Sequence, residues 1–378
     1  MTKNIQVFKP TYRVEETLEL IRECMEIGWT GMGFKTIEME TKWKEYTGVA
    51  NAHFLNSATA GLHVAVALFK AKYGWEDGDE IISTPLTFVS TNHAIKYERM
   101  QPIFADVDEY LCLDPEDVKR KITPKTRAVI FVGLGGSTGQ LEKIVEICKE
   151  HNLKLILDAA HMAGTRLNGK HVGNEADVTV FSFQAVKNLP TSDSGMICFK
   201  DAEFDKMARE FCWLGINKDT FARSANDGSY KWQYDVPTVG YKYHGNSIIA
   251  SMGIVALKYL DQDNAYRRQL RAWYQELLSD TNIEFMQYPE NCESSNHFCA
   301  IMVDNRDEVV DKMTQSGIFP GVHYIPSNQY GPYKDQDGKT PKSDAISKRL
   351  ISLPLHLQIT REDVERICNT LKNILVNY

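Results

Sequence analysis

The sequence contains no long hydrophobic run, and this absence bears on where the protein can reside. No segment of the 378 residues approaches the roughly 18 uninterrupted apolar positions that a membrane-spanning helix needs. The first residues, Met-Thr-Lys-Asn-Ile-Gln, lack the apolar core of a secretion signal. We therefore expect a cytoplasmic protein with no membrane partner. The hydrophobic content of 43% is ordinary for a globular enzyme.

Closely paired cysteines and an excess of basic residues are also missing. The 8 cysteines include no Cys-x-x-Cys pair, so neither a metal site nor a disulfide framework is expected. The formal net charge of −7 argues against a nucleic-acid partner. The densest basic group, Arg267, Arg268 and Arg271, has helical spacing, which predicts a solvated helix face.

The glycine-rich segment Gly133-Leu-Gly-Gly-Ser-Thr-Gly139 lacks the Gly-Lys-Ser/Thr ending of a nucleotide phosphate loop. Its composition instead predicts a flexible turn. A second polar segment, 329–342, is rich in Tyr, Gly, Asp and Lys and is predicted to be an exposed loop.

Apolar runs alternate with helical patterns through the first two thirds of the chain. This alternation predicts an α/β fold with a mostly parallel sheet between helices, whose ligands bind outside the carboxyl ends of the strands. We expect a large domain over 1–245 and a smaller one over 246–378. The smaller domain should contain helices over 247–260 and 266–278 and short strands near 298–303 and 321–325. The other expected strands lie near 53–56, 80–84, 102–106, 127–132, 154–158, 178–183 and 195–199, and the other expected helices over 35–46, 58–73, 115–121 and 140–151.

Three polar side chains at the ends of apolar runs suggest a cofactor. Asp158 ends the run Leu155-Ile-Leu-Asp158, and Ser182 and Lys187 follow another run. Pyridoxal phosphate (PLP) needs an amine to hold its aldehyde as a Schiff base and a carboxylate beside its ring nitrogen. Lys187 and Asp158 can supply these groups. Taken singly, a lysine or aspartate in such a position is more often a solvated surface group or a helix or turn cap.

A helix N-terminus upstream could bind the phosphate. Small residues Ser57-Ala-Thr-Ala-Gly61 open a helical pattern, where free backbone N–H groups attract anions, so Ala58 and Thr59 are candidate donors. The Ser182 hydroxyl could add another donor. An ordinary helix cap is the alternative. Phe88 follows a strand broken by Pro85 and could either stack on a flat ring or pack in the core.

With these motifs in order, the chain resembles the sugar-nucleotide aminotransferases of the DegT/StrS type, a branch of the fold-type I PLP enzymes. This resemblance implies a seven-stranded central sheet and extends along nearly the whole chain. The motifs that carry it are Gly28-Trp-Thr-Gly31, Asn56-Ser-Ala-Thr-Ala-Gly-Leu62, Gly78-Asp-Glu-Ile-Ile-Ser-Thr-Pro85, Pro102-Ile-Phe-Ala-Asp106, Asp158-Ala-Ala-His161, Phe181-Ser-Phe183 with Lys187, Gly240-Tyr-Lys-Tyr243, Val322-His-Tyr-Ile-Pro326 and Leu353-Pro354.

The resemblance also implies a role for each candidate site residue. Lys187 would form the Schiff base and then move protons, Asp158 would pair with the ring nitrogen, and His161 would lie near the ring's phenolic oxygen. Lys242 would reach the phosphate held by a second copy, which makes the active unit a homodimer. The remaining candidates are Ala58, Thr59 and Ser182 for the phosphate, Phe88 over the ring, and His323 and Tyr324 for the substrate.

The implied reaction is the conversion of a nucleoside-diphosphate-linked keto sugar into an amino sugar, with L-glutamate as amino donor. A sugar dehydratase and a non-catalytic regulator are the alternatives. Dehydratases of this kind usually carry histidine at the position of Lys187, which counts against the first.

Two segments depart from the pattern of the family. Ser192-Asp-Ser-Gly195 replaces a usual Gly-Glu-Gly-Gly, and the glycine-rich segment from Gly133 to Gly139 stands where relatives often have a His-x-Tyr-Gly loop. The second change predicts more open space and more exposed backbone beside the site.

Overall fold

Residues 3–217 and 234–376 are described by the computed structural model. In chain order the strands are β1 (Ile5–Gln6), β2 (Asn51–Leu55), β3 (Glu80–Ser83), β4 (Gln101–Phe104), β5 (Thr126–Val132), β6 (Lys154–Asp158), β7 (Arg166–Leu167), β8 (Lys170–His171), β9 (Val178–Ser182), β10 (Gly195–Phe199), β11 (Glu284–Phe285), β12 (Cys292–Glu293), β13 (Cys299–Met302), β14 (Ile318–Phe319) and β15 (Leu350–Leu353).

The α-helices alternate with these strands in the first part of the chain and dominate the second part. They are α1 (Val14–Ile27), α2 (Phe34–Thr47), α3 (Ala58–Tyr73), α4 (Ser90–Tyr97), α5 (Pro115–Lys121), α6 (Leu141–Glu150), α7 (Ala202–Cys212), α8 (Ser247–Leu277), α9 (Arg306–Gln315), α10 (Pro341–Ser347) and α11 (Arg361–Leu375). Within the two described ranges, no helix is long and apolar enough to cross a membrane.

Seven strands form the central sheet in the spatial order β2-β10-β9-β6-β5-β3-β4. Strand β10 runs antiparallel to both of its neighbours, and the other pairs are parallel. The predicted α/β class and mostly parallel sheet are therefore confirmed. Because β6 and β9 are parallel neighbours, Asp158 and Ser182 come to the same edge of the sheet.

Helices cover both faces of this sheet, which explains why its strands are apolar without alternation. Phe131, Ile156 and Phe181 are fully buried. Helix α3 is apolar on all sides, with Leu62 and Val66 both buried. Its burial holds the N-terminus of the helix rigidly against the carboxyl edge of the sheet.

Helix α8 is one continuous helix, so the prediction of two helices with a break near 261–265 was wrong. That stretch is polar but contains neither glycine nor proline, and Arg13 binds the carboxylate of Asp263 through two bonds of 2.7 and 2.8 Å. Polar composition alone does not end a helix whose carboxylates are paired.

The basic group on α8 is not the solvated face that its spacing predicted. Arg267 is buried, Arg268 donates to the carbonyl of Ser294 at 3.3 Å, and Arg271 donates to that of Met286 at 2.6 Å. The guanidinium groups of Arg268 and Arg271 thus bind backbone oxygens, and that of Arg267 donates to the side-chain oxygen of Asn264 at 3.4 Å.

The C-terminal part contains a small antiparallel sheet in the order β11-β13-β15. The strand predicted near 321–325 was wrong, because the regular pairing lies earlier, where β14 pairs with β1. After Gly321 the chain leaves that pairing and carries His323 and Tyr324 to a cavity. The boundary between 245 and 246 remains a prediction, and it lies next to Asn246, the residue that caps α8.

Most of the segment 329–342 is exposed, as its composition predicted, but three of its residues are buried. It forms short 3₁₀ turns and packs against β4, the edge strand of the central sheet. Tyr333 is fully buried against Phe104, and Gln336 accepts a hydrogen bond from the Phe104 N–H at 3.3 Å. The segment therefore covers an otherwise unpaired strand edge.

Candidate active site

A cavity of about 500 Å³ opens at the carboxyl edge of the central sheet. Most of the residues singled out from the sequence meet there, although they come from distant parts of the chain. The residues from that set that line the cavity are Ala58, Thr59, Phe88, Asp158, His161, Ser182, Lys187, His323 and Tyr324. Lys242 does not line it.

Lys187 lies in a turn that the backbone holds on both sides. The Lys187 N–H donates to the carbonyl of Gln184 at 2.8 Å. The next residue, Asn188, is buried and donates to Asn264 at 2.7 Å and to the carbonyl of Ser295 at 2.8 Å. Burial lowers the pKa of Lys187 to about 8, although the charge of Asp158 opposes the shift. A fixed amine that is partly neutral near neutral pH is suited to attack an aldehyde.

Asp158 ends strand β6 and is buried. One carboxylate oxygen accepts a hydrogen bond from the Thr91 hydroxyl at 2.7 Å, and the other accepts from the Ala160 N–H at 3.1 Å. Burial raises the pKa of Asp158, while these two hydrogen bonds and the charge of Lys187 lower it. A carboxylate held in this way can face a positively charged ring nitrogen.

The N-terminus of α3 forms a third wall of the cavity. Ser57 caps the helix by accepting a bond from the Ala60 N–H at 3.1 Å. The N–H groups of Ala58 and Thr59 stand too early in the helix to have acceptors within it, and both residues line the cavity. Ser182, at the end of β9, faces the same space. These groups could hold a phosphate.

Gly195 allows this helix terminus to sit close to the sheet. A Cβ atom at Gly195 would lie 2.7 Å from the Ala58 nitrogen and 2.7 Å from the Phe181 oxygen. Both atoms belong to the backbone, so neither can move aside without shifting an element. The glycine retained from the family pattern in Ser192-Asp-Ser-Gly195 therefore has a steric reason.

We predict that Gly195→Ala displaces the start of α3 and destabilises the protein by about 1–3 kcal/mol. Affinity for PLP should fall as well, because the phosphate donors move. Thermal unfolding and equilibrium titration with PLP measure the two effects. Gly331→Ala is the control, since nothing lies within 4 Å of its added Cβ. Unchanged melting and unchanged PLP affinity in Gly195→Ala would contradict this steric account.

His161 lies in a continuous stack of rings. Its ring lies 4.3 Å from that of His297, which in turn stacks on Phe8 at 5.2 Å. The Gly135 N–H donates to Nδ1 of His161 at 3.2 Å, and Nε2 lies 3.2 Å from the Tyr324 hydroxyl. Burial, with the positive charge of Lys187, lowers the pKa of His161 well below its usual range, so the ring is neutral.

The glycine-rich loop is packed rather than open, so the predicted flexible turn with exposed backbone was wrong. A Cβ atom at Gly133 would lie 2.0 Å from the sulfur of Met162, and one at Gly136 would lie 2.3 Å from the hydroxyl of Ser295. The carbonyl of Gly135 accepts a bond from the His297 N–H at 3.2 Å. The glycines therefore permit the backbone to approach its neighbours closely, including His161 and His297 of the cavity wall.

Phe88 and Lys242 occupy contrasting places. Phe88 is 57% exposed at the lip of the cavity, with its ring 6.0 Å from that of Tyr324, so it is not a core residue. The ammonium of Lys242 lies 3.4 Å from the ring centre of Trp213, outside this cavity. Lys242 is thus not part of the cavity wall of its own chain.

The sequence did not single out several residues that support the site. Thr91 holds Asp158, Asn188 anchors the turn of Lys187, and His297 and Phe8 extend the ring stack. Only the position of Asn188, directly after the lysine, gave a local signal. The others reach the site through tertiary contacts.

The donor set fits PLP and does not suggest a metal. One cavity brings together a buried carboxylate, a lysine of lowered pKa and a helix N-terminus pressed against Gly195. Such a set matches the cofactor's ring nitrogen, aldehyde and phosphate. In residues 3–217 and 234–376, no group of three or more His, Cys, Asp or Glu side chains could hold a metal ion.

The lowered pKa of Lys187 predicts how capture of added PLP depends on pH. Only the neutral amine attacks an aldehyde, so the capture rate should rise about tenfold for each pH unit below the pKa and level off near pH 8. An ordinary lysine amine would continue to gain reactivity up to its usual pKa of about 10.4. Rapid mixing of cofactor-free protein with PLP across this range measures the profile. A rate still rising at pH 9 would contradict the shift.

Comparison with known proteins relates nearly the whole chain to one family. The sequence model described as the DegT/DnrJ/EryC1/StrS aminotransferase family matches residues 11–372. The spore coat polysaccharide biosynthesis protein SpsC of Bacillus subtilis is 31% identical over 96% of this chain and 95% of that protein. The dTDP-4-dehydro-2,3,6-trideoxy-D-glucose 4-aminotransferase of Saccharopolyspora spinosa is 30% identical over 99% of this chain and 97% of that enzyme.

Solved structures give the same result. The aminotransferase TlmJ from Streptoalloteichus hindustanus superposes with a TM-score of 0.91 at 30% identity, covering 99% of each chain. The protein Spr1654 of Streptococcus pneumoniae, solved in a pyridoxamine phosphate (PMP) form, superposes with a TM-score of 0.91 at 26% identity, covering 98% of this chain and 99% of that one. Spr1654 has also been solved in a PLP form.

Proposed function

Because this chain belongs to the DegT/DnrJ/EryC1/StrS aminotransferase family, we propose that it aminates a keto sugar linked to a nucleoside diphosphate, with L-glutamate as the amino donor. The chain is a PLP-dependent aminotransferase of the sugar aminotransferase type. The choice of acceptor and donor is the proposal. The relative from Saccharopolyspora spinosa, which carries a dTDP-linked sugar in its name, supports the nucleotide-linked acceptor.

The meeting of Lys187, Asp158 and the N-terminus of α3 in one cavity is the observation that carries this proposal. PLP, when bound, supplies an aldehyde that forms a bond with amines and a ring that withdraws electrons from the carbon next to the bound nitrogen. We assign Asp158 to the ring nitrogen, where its negative charge keeps that nitrogen protonated. Ala58, Thr59 and Ser182 would hold the phosphate, which would fix the ring relative to Lys187.

Lys187 has two tasks in this assignment. Its amine would hold the cofactor between turnovers and, when not bonded to it, would move a proton at the carbon that reacts. The buried carboxamide of Asn188 keeps the turn in place while the side chain of Lys187 moves. Two-stage kinetics should follow, with 2-oxoglutarate leaving before the sugar binds.

Five further residues are assigned to the cavity wall and to the pairing of two copies. Four of them line the cavity: Phe88 would cover the ring from the lip, His161 would lie beside the phenolic oxygen, and His323 and Tyr324 would face the substrate. Lys242, whose ammonium lies against Trp213 outside the cavity of its own chain, would contact the phosphate of a second copy in a homodimer. A cytoplasmic location agrees with a nucleotide-linked substrate.

A panel of keto acceptors tests the proposed function. The purified enzyme, supplied with PLP and L-glutamate, is incubated with dTDP-linked and UDP-linked 4-keto and 3-keto deoxyhexoses, and the products are identified by mass spectrometry. Conversion of at least one of them to the amino sugar is the expected result. Amination of only a keto compound that carries no nucleotide would refute the nucleotide-linked acceptor. A dehydrated product without nitrogen would refute amino transfer.

A further inference from the structure

The hydroxyl of Tyr324 ends a chain of hydrogen bonds whose direction can be derived. The chain begins at the backbone N–H of Gly135, which lies 3.2 Å from Nδ1 of His161. A backbone N–H can only donate, so Nδ1 must accept and carries no proton. Gly135 has a φ of +62° and Phe298 lies 3.0 Å from where its Cβ would be, so packing fixes this donor in place.

The neutral state of His161 determines where its ring proton lies. The ring is buried and stacked on His297, and its pKa is lowered because burial and the nearby Lys187 disfavour a second positive charge. A neutral imidazole carries one N–H. Since Nδ1 is an acceptor, the proton is on Nε2, and it is donated to the hydroxyl oxygen of Tyr324 at 3.2 Å.

Tyr324 consequently keeps its own hydroxyl proton for another acceptor. In the described part of the chain, this hydroxyl makes one hydrogen bond, the one from His161. Tyr324 lines the cavity beside Phe88. Burial and the negative charge of Asp158 raise the pKa of Tyr324, so the phenol stays protonated at neutral pH. The cavity therefore receives a neutral O–H donor of defined direction.

We propose that Tyr324 donates a hydrogen bond to the keto oxygen of the acceptor sugar, and that Gly135 and His161 are positioning residues that set the direction of this bond. The proposal rests on the proposed amino transfer to a keto sugar. When an amine attacks the carbonyl carbon, the π electrons of the C=O bond move to the oxygen, which becomes negative. A donor already aimed at that oxygen stabilises this charge without reorganisation.

The surroundings of Tyr324 favour a carbonyl over a carboxylate as its acceptor. Its ring contacts are Phe88, His161 and His323, and burial lowers the pKa of both histidines, so all three rings are uncharged. A carboxylate of the amino donor would lose strong hydration there without gaining a cation from these neighbours. A keto group has less hydration to lose.

The test measures the two half-reactions separately in the variant Tyr324→Phe. The cofactor band is followed first after adding L-glutamate and then, in enzyme already converted by glutamate, after adding a dTDP-linked 4-keto-6-deoxyhexose. We expect the acceptor half-reaction to slow about 10²–10³-fold, which is the effect of removing one donor from a developing oxyanion. The glutamate half-reaction should keep its rate to within about tenfold. Tyr330→Phe, at an exposed position outside the cavity, is the control and should match wild type in both.

Equal slowing of both half-reactions, or no slowing with the sugar, overturns the assignment of Tyr324. If wild-type enzyme converts with glutamate but never reacts with any keto sugar, the proposed acceptor itself is wrong, which is a different result. Nitrogen NMR of the ¹⁵N-histidine-labelled, cofactor-free protein checks the positioning residues independently of activity, with the His161 signals assigned from His161→Phe. A neutral ring protonated on Nε2 is expected, and a proton on Nδ1 would overturn the derived direction.

Discussion

Lys187→Ala is expected to lose transamination by at least about 10⁴-fold, the largest effect of any substitution considered. The variant lacks both the amine that holds the cofactor and the base that moves the proton. PLP should still bind through Asp158 and the N-terminus of α3, but without the visible band of the lysine-bound form. Steady-state turnover with glutamate, absorbance spectra and equilibrium dialysis with PLP give the three readouts.

A matched control separates this loss from a general effect of removing a lysine. Lys170→Ala changes an exposed lysine in the hairpin of β7 and β8, outside the cavity, and should retain wild-type turnover. Retention of more than about a tenth of wild-type activity by Lys187→Ala would mean that another group supplies the proton transfer. The role assigned to Lys187 would then be wrong.

Asp158→Ala is expected to have the second largest effect, a fall in turnover of about 10²–10³-fold. In the proposed assignment the carboxylate would keep a positive charge on the ring nitrogen, and without it the ring would withdraw electrons less strongly. The neighbouring Thr91 would also lose its acceptor, which costs about 1–3 kcal/mol of stability. Turnover at saturating PLP and thermal unfolding distinguish the electronic loss from the structural one.

A modified cofactor distinguishes an electrostatic role of Asp158 from a structural one. N-methylated PLP carries a permanent positive charge on the ring nitrogen, and the space left by the Asp158 side chain can admit the methyl group. Its turnover in Asp158→Ala should exceed that of ordinary PLP by about tenfold or more if charge is what Asp158 maintains. Equal turnover with both cofactors would show that the carboxylate acts mainly on local structure.

The sequence was sufficient to predict the parts of the site that follow strand ends. Asp158 and Ser182 end apolar runs, and the chemistry of PLP requires a lysine shortly after such an end. The parallel pairing of β6 and β9 then brings the two ends together. Helix α3 was predictable over 58–73 because its small first residues and apolar body are both local features.

Residues that act through tertiary contacts could not be predicted in the same way. Thr91 reaches Asp158, at the end of β6, from helix α4, and His297 reaches His161 from the C-terminal part of the chain. Nothing in the residues beside Thr91 or His297 indicates what lies opposite them. Sequence distance hides such pairs, because only the fold brings them into contact.

Composition misled where packing decides conformation. Gly133, Gly135 and Gly136 suggested a flexible loop, but glycine also allows close approach, and the sulfur of Met162 and the hydroxyl of Ser295 occupy the positions that side chains would need. The polar segment 329–342 is mostly exposed, as predicted, but its composition did not indicate that Tyr333 and Gln336 are buried against Phe104 of β4. In both segments the deciding atoms belong to distant residues.

A single-turnover experiment tests the proposed amino transfer most directly. PLP-loaded enzyme is mixed with L-glutamate alone, and the visible cofactor band and 2-oxoglutarate are measured together. The account predicts that the band disappears with one equivalent of 2-oxoglutarate per active site, and that a nucleotide-linked keto sugar then restores the band and yields the amino sugar. A band that does not respond to glutamate, or that returns without formation of an amino sugar, would contradict the account.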